Sequence, residues 1–119
     1  METYGYPPDR WRLALAEARE AMVAAAREES TLSYSALVKE IRSITFQPHD
    51  FRLFHLLGRI SKEEVAHGRG MLTAVVVRQE DGLPGQGFFQ LAKELGFDAS
   101  DQEAFWASEL ARVFKVWQT

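Results

Sequence analysis

Trp11, Leu15, Ala18, Met22 and Ala25 recur at the spacing of one helical face, which predicts a first helix over residues 10–29. Pro7, Pro8 and Asp9 introduce it, and Glu17, Arg19, Glu20 and Arg27 fall on its solvated faces. Tyr34, Leu37, Val38 and Ile41 repeat the pattern in a shorter second helix. Thr31 and Ser33 are its candidate N-caps, because their hydroxyls can accept from unpaired first-turn amides. The stretch SITFQPHD breaks the period, and Pro48 bars regular helix there. Asp50 then caps a third helix over residues 51–60, with Leu53, Leu56, Leu57 and Ile60 turned inward. Ser61-x-x-Glu64 reads as the capping box of a short fourth helix, stopped by Gly68.

The period then changes. Residues 72–77, dense in β-branched side chains, predict a strand buried on both faces. Asp81-Gly82 and Pro84-Gly85 mark the turn that follows. Phe88, Leu91, Ala92 and Leu95 form the inner face of the next helix, ended by Gly96. Ser100-x-x-Glu103 reads as another capping box. The last helix buries Trp106, Leu110, Val113 and Trp117, with Phe105 and Phe114 alongside. This order predicts one mainly α domain with a minor β element. Its winged-helix-like core over residues 31–96 is braced by the N-terminal helix (1–30) and the C-terminal helix (97–119).

Composition agrees with a folded chain: 119 residues, 46% hydrophobic and 12% aromatic, suffice for one core. With no cysteine, thiol nucleophiles, thiolate metal sites and disulfides are excluded. The longest apolar run is far too short to span a bilayer, and residues 1–10 show no secretory signal, so a cytoplasmic location is expected. The net charge of −3 argues against indiscriminate nucleic-acid binding. Its distribution is uneven. Residues 34–78 hold seven Lys/Arg against four acids, and all three histidines, while the remainder holds seven against thirteen.

That basic middle carries the candidate site. Arg52, His55 and Arg59 stand at i, i+3 and i+7, within an arc of roughly 60° opposite the leucines. An apolar back and a basic front suit insertion into a nucleic-acid groove, with Arg69 and Arg78 assisting near the wing. The alternative is an ordinary solvated face. In PGQGFF, Gly85 and Gly87 let the backbone approach an anion at a helix start, although a tight turn explains them more simply. Glu63 and His67, four residues apart, could join His49 or His55 around a metal, as in a small hydrolase or nuclease, but nothing fixes a third ligand. The terminal aromatics Phe105, Trp106, Phe114 and Trp117 read as core. An exposed Trp11 or Trp117 would instead mark a dimer or partner surface. No catalytic, metal or cofactor residues are assigned.

The run GRGMLTAVVV, followed by PGQGFFQLAKELG and a terminal segment from Trp106 to Leu110, resembles a group of small uncharacterised bacterial proteins, a likeness that implies no activity. More loosely, the centre is similar to the winged-helix domain of the alkyltransferase-like DNA-binding proteins. The start Leu32-Ser33-Tyr34-Ser35-Ala36-Leu37 matches their helix start, and the helix of Arg52, His55 and Arg59 takes the recognition position. Residues 72–77 would be the strand, with Arg78 leading into the wing. Their Pro-Cys-His-Arg-like segment is missing, so the resemblance implies DNA binding without alkyl transfer. The function expected is a non-enzymatic nucleic-acid-binding or regulatory module. The alternative is a protein-interaction or homodimerisation module.

Overall fold

The computed structural model describes residues 2–118. Its elements are α1 (Pro8–Arg27), β1 (Leu32–Ser33), α2 (Tyr34–Glu40), α3 (Phe51–Ala66), a 3₁₀ turn (Leu72–Val75), β2 (Val76–Val77), α4 (Gln86–Glu94) and α5 (Gln102–Trp117). The fold class is the expected one: mainly helical with a small β element. Pro8 occupies the first turn of α1, where its missing N–H leaves nothing unsatisfied. Ser33 caps α2 by accepting from Ala36 N, and Asp50 caps α3 by accepting from Arg52 N. Gly68 ends α3 in the left-handed region at φ 74°, and the Arg69 amide returns to Glu64 O at 2.9 Å.

Two cores share the molecule. The larger is built on Trp11, Ala14, Ala18 and Met22 of α1, Leu53, Leu56 and Ile60 of α3, and Leu72 and Val75 of the 3₁₀ turn. The smaller lies under α4, where Phe88, Phe89, Leu91 and Ala92 meet Met71 and Ala74 and the first half of α5. The last helix bridges them, with Val113 fully buried on the first core and Phe105 and Trp106 set against the second.

Several local expectations are corrected. Residues 72–77 are buried, but they form a 3₁₀ turn and then only two strand residues. The reason is where their amides go. Just ahead of the segment Glu109 Oε2 accepts from Met71 N at 2.9 Å; within it Ser61 Oγ accepts from Thr73 N at 3.2 Å and Met71 O from Ala74 N at 3.0 Å, so side chains and a local turn take the place of a sheet partner. The strand β2 pairs in parallel with β1, Leu32 opposite Val76 and Ser33 opposite Val77, rather than running into an antiparallel hairpin. The segment expected as the wing is a loop closed by Arg78 N on Leu83 O and Gly82 N on Arg78 O.

There is no separate fourth helix after Ile60, because α3 continues to Ala66. Ser61 and Glu64, read as a capping box, are both fully buried in it: Ser61 bonds Thr73, and Glu64 takes Arg19 and Arg69. The cap of α5 is Asp101, accepting from Ala104 N, and not Ser100. On α1, Leu15 is half-buried and Ala14 takes its place in the core.

Candidate binding face on α3

Helix α3 carries two stripes. The inward one runs Leu53, Leu56, Leu57, Ile60, Ser61, Glu64, all buried. The outward one runs Phe51, Phe54, His55, Gly58, Arg59, Lys62, with the same i, i+3, i+4, i+7, i+8, i+11 spacing on the opposite side. Phe51 is 63% exposed and Phe54 46%. Among the described residues only Leu13 on α1 joins them as a large exposed hydrophobic. Isolated apolar residues on a surface are ordinary; here two exposed phenylalanines lie one helical turn apart on one stripe, flanked by grooves.

Those grooves border Phe54 on either side. One, of about 430 Å³, has an apolar floor of Leu53, Phe54, Leu57 and Leu91 and is rimmed by His49 and Arg78. The second, of about 450 Å³, runs between Tyr4 of the N-terminal segment and Gln90 of α4, across Phe51, His55 and Gly58. Gly87 seats the partition between them: a Cβ there would lie 1.3 Å from Phe54 Cζ, so only glycine lets the ring rest on the first turn of α4. Tyr34 closes the far end of the first groove, its hydroxyl oxygen accepting from Gly85 N at 3.1 Å. Burial pushes its phenol above the ordinary value, against the opposing effects of the Gly85 amide and the Arg78 charge.

The expected nucleic-acid residues do not form one patch. Arg52 lies at the edge of the outward stripe, where it makes a bidentate bond to Asp50 (Nε to Oδ1 3.1 Å, Nη2 to Oδ2 2.8 Å) and packs 5.0 Å over the Tyr6 ring. The Arg52 guanidinium holds the Asp50 carboxyl below its ordinary value, and Asp50 raises that of Arg52 in turn. His55 is exposed but stacked on Tyr4, with ring centroids 4.7 Å apart. Arg59 pairs with Glu63 at 2.9 Å. Arg78, on the groove rim, pairs with Asp81. Arg69 is elsewhere. It closes on the buried Glu64 beside Arg19 and lies over Trp117, away from both grooves.

The other candidates resolve locally. Glu63 is engaged by Arg59, and His67 caps α3 with Nδ1 2.8 Å from Glu63 O. Among the described residues no three His, Asp or Glu converge as a metal site. At PGQGFF, the Gly85 amide is taken by Tyr34 and the Phe88 amide by Gly85 O, as in a tight turn entering a helix. No tryptophan stands free: Trp11 is buried, Trp106 donates to Ala74 O at 2.8 Å, and Trp117 is half-buried between Arg27 and Arg69. Apart from Leu13 on α1, the large exposed hydrophobics among the described residues therefore lie on α3, and none is a tryptophan.

Sequence reading missed Phe51, Phe54 and Gly58. Their signal is the second stripe of α3, which overlaps the arc of Arg52, His55 and Arg59 and is masked in the sequence by those cations. No family model matches the chain, and no curated protein or solved structure matches it. No helix of the described residues is long and apolar enough to cross a membrane.

Proposed function

We propose that this is a non-enzymatic interaction module, working in the cytoplasm, whose binding surface is the outward face of α3 with its flanking grooves. The observation that carries the reading is the adjacent exposure of Phe51 and Phe54 above apolar grooves. Grooves of this volume, with apolar floors and charged rims (Arg78 and Glu80 on one, Arg59, Lys62 and Glu94 on the other), suit an anchoring apolar side chain of a protein partner whose neighbours are polar. A photo-crosslinking phenylalanine analogue at position 51 or 54, with position 13 as control, tests it in cells. Protein adducts are expected at 51 and 54 and not at 13. Equal labelling at all three, or none, overturns the reading.

A second reading keeps the winged-helix-type, nucleic-acid-binding role. Its support is that Arg52, His55 and Arg59 share one arc of α3, with the Arg59 side chain 42% exposed. Each arginine in it would have to exchange a carboxylate for a phosphate. Adducts to nucleic acid at position 51 or 54 would favour this reading over the first.

A further inference from the structure

The first groove presents more hydrogen-bond donors than the chain has acceptors for them. Thr73 is 6% exposed and lines this groove, whereas Ser61 is fully buried and does not line it. Ser61 Oγ accepts from Thr73 N and lies 2.7 Å from Thr73 Oγ1, a contact that can hold only one of the two hydroxyl protons. Were it the threonine's, the Ser61 proton would be left in the core with no acceptor among the described residues. With Ser61 donating, the Thr73 hydroxyl is the one left to donate into the groove. Tyr34 is in the same position: its oxygen accepts from Gly85 N, and nothing among the described residues accepts its own proton. Helix α4 adds two donors. Its N-cap, Gly85, has no side chain to cap with, and Gln86 N and Gly87 N at the groove have no acceptor among the described residues. They follow directly on the amide that Tyr34 accepts, so the phenol and the helix end stand together.

Charge selects among the acceptors that could enter. The positive end of the α4 dipole and the Arg78 guanidinium on the rim favour an anion. Arg78 already pairs with Asp81, and Asp50 and Glu80 also border the groove, so one negative charge is matched there and the second charge of a phosphate is not. A carboxylate carries one charge, accepts without donating and offers about four lone-pair sites. The floor of Leu53, Leu57 and Leu91 requires the rest of the molecule to be apolar. We propose that the first groove binds a small carboxylic acid with an apolar body. Its carboxylate lies on the Tyr34 hydroxyl and the Gln86 and Gly87 amides, its body lies along the leucines, and Thr73 donates to a ligand oxygen from the floor. The site goes beyond the protein-contact reading of α3, because Phe51 borders only the second groove and stays uncovered when the first is filled.

Hexanoate and hydrocinnamate, each titrated beside its own primary amide and followed by the backbone-amide NMR signals of the labelled chain, test the site. The acids should shift Gln86, Gly87 and Thr73 saturably and bind about tenfold or more tighter than the amides, whose NH₂ would meet donors. Tyr34→Phe and Arg78→Gln should each weaken the acids more than the amides. Arg78→Gln touches only the rim, so it carries the test if Tyr34→Phe disturbs the fold. Equal binding of acid and amide overturns the proposal, leaving an apolar cleft without anion recognition. Shifts centred on Tyr4 and Gln90 in the second groove, or no saturable shift with either acid, overturn it as well.

Discussion

At the scale of single residues, the face depends on Gly87, because the Phe54 ring occupies the space of its missing side chain. Gly87→Ala forces that ring outward, at a cost of about 1–3 kcal/mol, while the alanine itself favours the helix by roughly 0.5–1 kcal/mol. In a Phe54→Ala background only the second effect remains, so Gly87→Ala should change from destabilising or neutral to stabilising. Urea unfolding of the four proteins measures the coupling, and additive effects would mean that the two residues do not touch. Glu17 acts between α1 and the segment that follows α2. Its carboxylate accepts from Arg42 N, Ser43 N and Ser43 Oγ at 2.9–3.1 Å, tying the segment after α2 to α1. Partial burial raises its pKa, but these hydrogen bonds outweigh that and hold it below the ordinary 4.5. A depressed folded-state pKa means stabilisation that is complete above the ordinary value and lost as pH falls through the folded one. Glu17→Gln should therefore destabilise at pH 7 and converge with wild type as the pH falls through the lowered folded-state pKa, as read by unfolding midpoints across an acid series.

At the scale of elements, periodicity identified the helices, and local hydrogen bonding decided their limits. The Trp11–Met22 stripe, the Ser33 and Asp50 caps and the Gly68 and Gly96 stops are legible because each depends on neighbours within a turn. Residues 72–77 are not, because their conformation is set by Ser61 and Glu109, which lie 12 and 38 residues from the amides they accept. No local pattern shows that a serine faces inward. Ser61 was misread as a cap for the same reason, since a capping box and a buried hydroxyl within a long helix have the same sequence. The two roles predict different mutational behaviour. Thr73→Val removes Oγ1, which lies 2.7 Å from Ser61 Oγ in a buried pair, and should cost about 1–3 kcal/mol. Were Ser61 an exposed cap, the same substitution would leave the denaturation midpoint unchanged.

At the scale of the whole molecule, the basic middle segment is a property of composition more than of the folded surface. Folding sets Asp50 on Arg52, Glu63 on Arg59, Glu64 on Arg69 and Asp81 on Arg78, so four cations that could serve phosphates already have carboxylate partners. The Arg59 and Arg78 pairs are surface pairs, weakened by solvent screening, which a polyanion could exchange. The Arg69 pair is different, because Glu64 is fully buried and losing its partner would leave an uncompensated charge. Displacing each carboxylate also leaves it beside the incoming phosphate, adding repulsion to a molecule that already carries a net charge of −3. Duplex DNA titrated by fluorescence anisotropy should thus show no saturable binding near physiological salt. At low salt, the logarithm of any residual affinity should fall with a slope of only one or two released counterions. The variant Arg52→Glu/Arg59→Glu should leave that trace unchanged. A steep slope abolished by the same double substitution would show that the pairs open on demand, and would return the α3 face to nucleic acid.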